Sequence, residues 1–373
     1  MDFEEVRSEF PVLKQCVYFD HAACSPIPLR VFQAIKVYNE TVMETGGADL
    51  APWMNKVEGI RIRVASLIGA KPAEIAFTAN TSQGILAVAN GVPWRKGDNC
   101  IIGDIEFPAN VYPWRNLSRH EVEVKIVEFK DGRIDPGAIE SLMDDKTRLM
   151  SLSFVEYANG FRNDVTVLGR LCRERGVYFF VDAIQGLGAL ELNVTESCID
   201  FLSAGGHKWL LGPRGSGIFF CSERVLDEIQ LNSFSWRSVA EPENFRDNTQ
   251  RPKPSAGRFE AGTPNIGGIV GLGASIELIQ ELGIKRIESR ILGLTGTLAE
   301  GLRAKGYEVV SPRGEGERSG ILLFRGGRYP AQDLCAFLRE KRIIVAVRNE
   351  GIRVSPHYYN NLEDMQKLLD VLP

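Results

Sequence analysis

The chain has 373 residues, more than one hydrophobic core ordinarily supports, so two lobes are expected. Hydrophobic residues make up 44% and charged residues 25%, with a formal net charge of −4. That mild acidity argues against a nucleic-acid or anionic-membrane surface. No apolar run approaches the roughly 18 residues of a membrane span. The acidic start "MDFEEVRSEFPVL" lacks the basic and apolar regions of a signal peptide. Seven scattered cysteines form no C-x-x-C pair and stand beside only four histidines. A zinc site is therefore not expected, and reduced thiols in a cytoplasm are.

In chain order, strands alternate with amphipathic helices from about residue 55 to 220. "VEGIRIRVASLIGA" has helical spacing. "AEIAFTAN" predicts a strand and turn, and "TSQGILAVANGV" a helix with Thr81 or Ser82 near its cap. "NCIIGD" follows as a strand, "VYPWRNLSRH" as a helix, "VEVKIVEF" as a strand, and "PGAIESLM" as a helix with Pro136 near its first position. "TRLMSLSFV" predicts a strand, "VTVLGRLCRERG" a helix, and "VYFFVDAIQ" an apolar strand ending in charge. This is the alternation of a mostly parallel sheet covered on both faces. After residue 260 a long helical region runs to Gly306. "ILLFRG", "AQDLCAFLREKR", "IIVAVR" and "IRVSP" then make a small α+β lobe. The expected division is a large α/β domain over residues 16–265 and a small domain from 1–15 and 266–373.

Ligands of open α/β sheets bind beyond the carboxyl ends of the strands. Thr81 and Ser82 follow the first such strand at a helix start, where free N–H groups and the helix dipole hold a phosphate; plain N-capping is the competing reading. "IEFPAN", with Phe107 and Asn110, follows the next. Asp182 ends "VYFFVD", with Gln185 three residues on. Lys208 lies in the glycine-flanked "SAGGHKWLLGPRGSG". Together these groups match the needs of pyridoxal 5′-phosphate (PLP): a lysine for a Schiff base, a carboxylate for the ring nitrogen, a donor for the phenolic oxygen, a stacking group and an anion cradle.

The chain resembles the class V aminotransferase family of fold type I PLP enzymes. That family includes cysteine desulfurases, selenocysteine lyases, cystine C–S lyases, isopenicillin N epimerase-like proteins and kynureninase. The similarity runs from "VYFDHAACSPIP" to "IRVSPHYYNNLEDM" and is most specific in "VDAIQGLGA", "GGHKWLLGPRGSG" and "RFEAGTPNIGGIVGLGASIE". It implies the fold type I architecture, a large domain with a mostly parallel sheet plus a smaller α+β domain. It implies Lys208 as the Schiff-base lysine, His207, Thr81 and Ser82 at the phosphate, Asp182 at the ring nitrogen and Gln185 at the phenolic oxygen. Phe107 takes the place of the histidine that stacks on the ring in many desulfurases. Thr263 would reach the phosphate of a neighbouring subunit, which implies a homodimer with shared active sites. Arg353 matches the arginine that binds a substrate α-carboxylate, with Arg348 a second candidate for that pocket.

Departures from the pattern narrow the reaction. A phosphate-binding serine before the GHK motif is Gly205 here, and the usual asparagine near the phenolic oxygen has only Tyr157 in its register. Desulfurases carry a loop with a nucleophilic cysteine between the two arginines. Here only "NEGI" separates them, a span of at most about 14 Å without a thiol. Cys24, in "AACSP", is a packed thiol or a substitute nucleophile. "FSWRSV" is similar to a stretch of cystine C–S lyases. Gln185 and Trp209 replace features of kynureninase. The expectation is a PLP-dependent enzyme acting on an α-amino acid by β-elimination of a sulfur-containing substrate. The alternatives are a transaminase, an epimerase and a cofactor-binding pseudoenzyme.

Overall fold

The structure is a computed structural model that describes residues 2–48, 50–327 and 329–373. The chain enters through two short 3-10 turns and the strand β1 (Val17–Tyr18), then the helices α1 (Leu29–Thr45) and α2 (Leu50–Ile68). There follow β2 (Ile75–Thr78), α3 (Thr81–Gly91), β3 (Asn99–Gly103), α4 (Tyr112–Arg115), β4 (Glu123–Val127), α5 (Pro136–Leu142), β5 (Thr147–Ser153), α6 (Val165–Arg175), β6 (Tyr178–Asp182), β7 (Phe201–Gly205) and β8 (Gly217–Cys221). The remaining elements are α7 (Ile266–Leu282), α8 (Ile284–Ala304), β9 (Glu308–Val309), β10 (Leu322–Arg325), α9 (Ala331–Glu340), β11 (Ile343–Ile344), β12 (Ala346–Arg348), β13 (Gly351–Val354) and α10 (Leu362–Val371).

Seven strands make the central sheet, in the order β2-β8-β7-β6-β5-β3-β4. All pairs are parallel except those of β8, which runs antiparallel to β2 and β7. β5 to β8 are almost wholly buried, as strands covered on both faces are; β6 and β8 are largely apolar, while β5 and β7 also bury serines. The helical reading of "VYPWRNLSRH" is corrected: only Tyr112–Arg115 is α-helical, and a 3-10 turn takes over at Asn116. Pro113 is tolerated because it sits in the first helical turn, where its missing N–H has no partner to lose.

The second lobe is a four-stranded antiparallel sheet, β12-β13-β10-β9, packed under α8, α9 and α10. Helix α7, just past the expected 265/266 boundary, packs on the central sheet. Ile266, Ile269, Leu272, Ile276 and Ile279 of α7 share the core of the central sheet, and α7 packs on α1 and α2. At the other end β1 pairs with β11, and Phe19 lies in the core of the second lobe. The first 15 residues tie both lobes down. Val6 and Phe10 enter the main core, the Phe10 ring stacks on Tyr359 at 3.8 Å, and Arg7 donates to Tyr359 O and to Asp364. Among the described residues no single helix is long and apolar enough to cross a membrane.

Candidate active site

Beyond the carboxyl ends of the central strands lies a cavity of about 300 Å³, walled by Asn80, Thr81, Ser82, Phe107, Tyr157, Asp182, Gln185, His207 and Lys208. Ala22 and Ala23 close it from the N-terminal segment, and Arg348 and Arg353 reach it from the second lobe. Nine of the eleven residues expected at the site therefore meet around one space. Asn110 and Thr263 do not. Asn110 is fully buried beside it, where Trp114 Nε1 and Ser151 Oγ donate to its carbonyl oxygen and its amide donates to Glu106. Those bonds hold the side chain outside the lining of the cavity. Thr263 lines a separate cavity with Thr78, Gly215 and Asn265.

Lys208 lies on the crossing from β7 to β8 and is 8% exposed. Its Nζ stands 5.6 Å from the centre of the Phe107 ring. Burial brings its ammonium pKa down to about 8; Asp182 opposes the fall, and the charges of Arg353 and Arg348 add to it. The surrounding glycines serve the loop itself. A Cβ on Gly206 would lie 3.0 Å from Ser216 O, and one on Gly217 would lie 2.8 Å from Ala204 O. Close packing of loop on strand, rather than room for a ligand, accounts for them.

Asp182 ends β6, and its Oδ1 accepts the Ile184 N–H at 3.0 Å. Burial pushes its carboxyl up to about 6. An acid in that position carries its charge at a cost, which a cation beside it, such as a protonated ring nitrogen, would offset. Gln185 is more constrained than expected: its amide nitrogen donates to Ala22 O at 2.9 Å, and its oxygen accepts from Trp209 Nε1 at 3.0 Å. One amide hydrogen is left to offer the cavity.

The anion cradle is at the start of α3. Asn80, not Thr81 or Ser82, is the N-cap, accepting the Gln83 N–H at 3.0 Å. The Thr81 hydroxyl accepts the Gly205 N–H instead, at 2.9 Å, and so ties the helix start to the end of β7. The N–H groups of Thr81 and Ser82, in the first turn, have no intrahelical acceptor. His207 sits beside them, its pKa lowered to about 4 by burial and by the cations Lys208 and Arg214. The Phe107 ring is held edge-on by Tyr157, with centroids 5.3 Å apart.

Arg353 is 1% exposed. It donates to Tyr157 O at 2.8 Å and to Asp20 at 3.1 Å, while its Nε–H has no partner among the described residues. Burial lowers its pKa to about 10, still well above neutrality. Arg348 and Arg353 lie on antiparallel β12 and β13, with Arg348 opposite Gly351. The connection is a two-residue turn in which Asn349 and Glu350 both take positive φ, 44° and 61°. That is the tight hairpin form matched to strand twist. Cys24 turns its thiol toward its neighbour's carbonyl, Ser25 O, at 3.7 Å. All seven cysteines are free. Among the described residues no group of three or more His, Cys, Asp or Glu side chains is placed to hold a metal.

Two buried carboxyl groups at the site, Glu106 and Glu156, escaped the sequence reading. Glu106 precedes Phe107 directly in the loop after β3, and an acid between apolar neighbours was the one weak signal.

A mostly parallel sheet with a buried lysine, a strand-end aspartate and an open helix start around one cavity defines a PLP enzyme of fold type I. The comparisons agree. The aminotransferase class-V family matches residues 17–368, and the chain belongs to it. A probable cysteine desulfurase of Methanothermobacter thermautotrophicus is 33% identical, over 100% of this chain and 98% of the relative. A cysteine desulfurase of Escherichia coli O127:H6 is 32% identical over 96% and 91%. Among solved structures, the apo cysteine desulfurase of Thermococcus onnurineus NA1 superimposes with a TM-score of 0.91 at 30% identity, covering 99% of this chain and 96% of that one. The cystine C–S lyase C-DES, in complex with cysteine persulfide, shares the fold with a TM-score of 0.89 at 23% identity, over 97% and 98%.

Proposed function

We propose that this chain is a PLP-dependent C–S lyase, eliminating the β-sulfur group of an α-amino acid without help from an enzyme thiol. The observation that carries the reading is the hairpin between Arg348 and Arg353. Two turn residues leave no length for a mobile loop, and neither is a cysteine. The desulfurase-like relatives and the fold shared with a cystine lyase support a sulfur-containing substrate.

Bound PLP supplies the electron sink that makes an amino acid's α-proton removable. The residues divide the remaining work. Lys208, with its pKa brought down to about 8, is available near neutrality as the amine that holds the coenzyme and as the base that takes the α-proton. Asp182 holds positive charge on the ring nitrogen. The first-turn N–H groups of α3, with Ser82 and His207, receive the phosphate. Phe107 covers the ring face, and Gln185 offers its remaining N–H to the phenolic oxygen. Arg353, which reaches the cavity from β13, offers its guanidinium to the substrate carboxylate; Arg348 adds positive charge beside it. When the α-proton passes to Lys208, the Cβ–S bond breaks and sulfur leaves with the electron pair. The unsaturated amine then hydrolyses to pyruvate and ammonia.

The test is a panel of amino acids, cystine and cysteine conjugates included, scored for pyruvate, ammonia and the sulfur product. Pyruvate in step with the sulfur product, with every cysteine unmodified in the turning-over enzyme, is expected. Persulfide trapped on a cysteine during turnover overturns the thiol-free route. Pyridoxamine without pyruvate marks transamination, and inversion at Cα marks epimerisation.

A further inference from the structure

Behind Asp182 stand the two carboxyl groups that this chemistry leaves unused. Glu106 lies in the loop after β3 and Glu156 in the turn after β5. Their surroundings differ. Glu106 Oε1 accepts the Ser153 backbone N–H at 2.6 Å, and its Oε2 accepts from the Ser153 hydroxyl at 2.6 Å and from the Asn110 amide at 2.9 Å. Glu156 accepts a single bond, from Asn163 Nδ2 at 2.9 Å, and its Oε2 is buried with no partner among the described residues. Three converging donors stabilise an anion. A buried oxygen with no donor favours the neutral acid. The proton affinities run the same way. Burial raises Glu156 well above the usual carboxylate range, with the Glu106 charge adding to it, whereas burial lifts Glu106 only to about 7 against the bonds from Ser153 and Asn110.

Ser153 joins this pair to the site. It lies beside Asp182 in the β5–β6 register, and its carbonyl accepts from the same Asn163 amide that holds Glu156. Asn110 is locked in turn by Trp114 and Ser151, so Glu106 has no freedom to turn away. The charged groups around the pair are Asp104 on the Glu106 loop, Asp182 on β6, and Lys208 on the far side of Asp182. Helix α3, packed against that loop, carries no charged residue.

We infer that Glu106 is the ionised and Glu156 the neutral member of a carboxyl pair that reinforces Asp182, with Glu106 acting as a positioning residue that keeps the coenzyme's ring nitrogen protonated. The inference rests on the PLP reading of the site. A second negative charge behind Asp182 raises the ring nitrogen's proton affinity by Coulomb attraction, in a buried region where water screens it poorly.

A structural defect also lowers turnover, so the readout is the ring proton itself. The holoenzyme is loaded with coenzyme carrying nitrogen-15 in its ring, and the ring signal is followed by NMR from about pH 6 to about pH 9, a range that covers the shift a neighbouring charge produces. The parent's titration midpoint is the reference against which each variant is read. In Glu106→Gln, an amide of the same shape, the ring loses its proton about one pH unit earlier than in the parent. Glu156→Gln follows the parent, because it replaces a group already neutral. Ser153→Ala, which removes one donor to Glu106, shifts the curve the same way as Glu106→Gln by a smaller amount, and it decides the matter where Glu106→Gln fails to fold. Parent-like curves for Glu106→Gln or Ser153→Ala overturn the inference, as does an equal shift in Glu156→Gln. A parent protein that takes up no coenzyme gives no ring signal at all and overturns the reading of the site instead.

Discussion

At the residue scale the site is a set of groups held in unfavourable states for a partner to relieve, and Asp182 shows this most plainly. Its carboxyl pKa in the folded chain, about 6, lies above the ordinary 3.8 because burial penalises the charge. The folded protein therefore keeps a proton that the unfolded chain has released, and without coenzyme its stability falls as pH rises from about 4 to about 6. Above that window the fold carries a buried carboxylate. Asp182→Asn keeps the acceptor for Ile184 and removes the charge. The coenzyme-free variant is expected to melt above the coenzyme-free parent at pH 8, by a margin on the order of 1–3 kcal/mol that closes toward pH 4. Coenzyme added at pH 8 reverses the order, because the parent alone gains the ring-nitrogen ion pair. Thermal melts at two pH values, with and without coenzyme, check both signs; a parent that melts higher throughout contradicts the account. Asp182 stood out in the sequence because charge follows directly on an apolar strand run, and Lys208 because glycines flank it. Glu106 did not, since the donors that give it meaning, on Ser153, come 47 residues later. The partners of Asn110, Ser151 and Trp114, are likewise brought to it by sheet and loop packing.

At the scale of elements, the strands were legible and their connections less so. "VYFFVD" announces a buried parallel strand by continuous hydrophobicity, and "TRLMSLS" by its apolar core of Leu149, Met150 and Leu152. Helix α1 does not announce itself, because much of its apolar surface faces outward: Leu29, Phe32, Val37 and Met43 are all exposed. The hairpin after β12 was visible only as a shortage of residues; the structure adds that "NE" forms the turn. Both turn residues sit in the left-handed region, which Asn tolerates and Glu does not favour. Glu350→Gly is expected to raise stability by about 1 kcal/mol with kinetics unchanged. Glu350→Pro, whose ring fixes φ near −65°, breaks the turn that sets Arg348 beside Arg353. That variant is expected to raise KM for amino-acid substrates far more than it weakens coenzyme retention, which titration of each ligand measures separately. Equal losses of both would make the hairpin a structural prop rather than the support of the carboxylate site.

For the whole molecule, the absence of Thr263 from the cavity of the single chain has a reason in the surface. Thr263 lies outside the space that holds Lys208, in the neighbouring cavity floored by Gly215 and Asn265. Helix α1, which packs on α7, exposes large apolar side chains along its length: Leu29 is 48%, Phe32 56% and Met43 76% exposed. A two-fold dimer that covers α1 would place Thr263 of each subunit against the other's coenzyme phosphate, as the family resemblance implies. Complementation tests this directly. A chain carrying Lys208→Ala lacks the amine, and a chain carrying Thr263→Glu meets the phosphate with negative charge; each alone is expected to be inactive. If sites are shared, a mixed dimer has one site with both defects and one with neither. Unfolding and refolding the two variants together should then restore about a quarter of the parent's activity, since half the dimers are mixed and half their sites are intact. If each chain builds its whole site alone, the mixture stays dead, because no single chain carries both Lys208 and Thr263. Light scattering on the refolded mixture separates that result from a failure to dimerise.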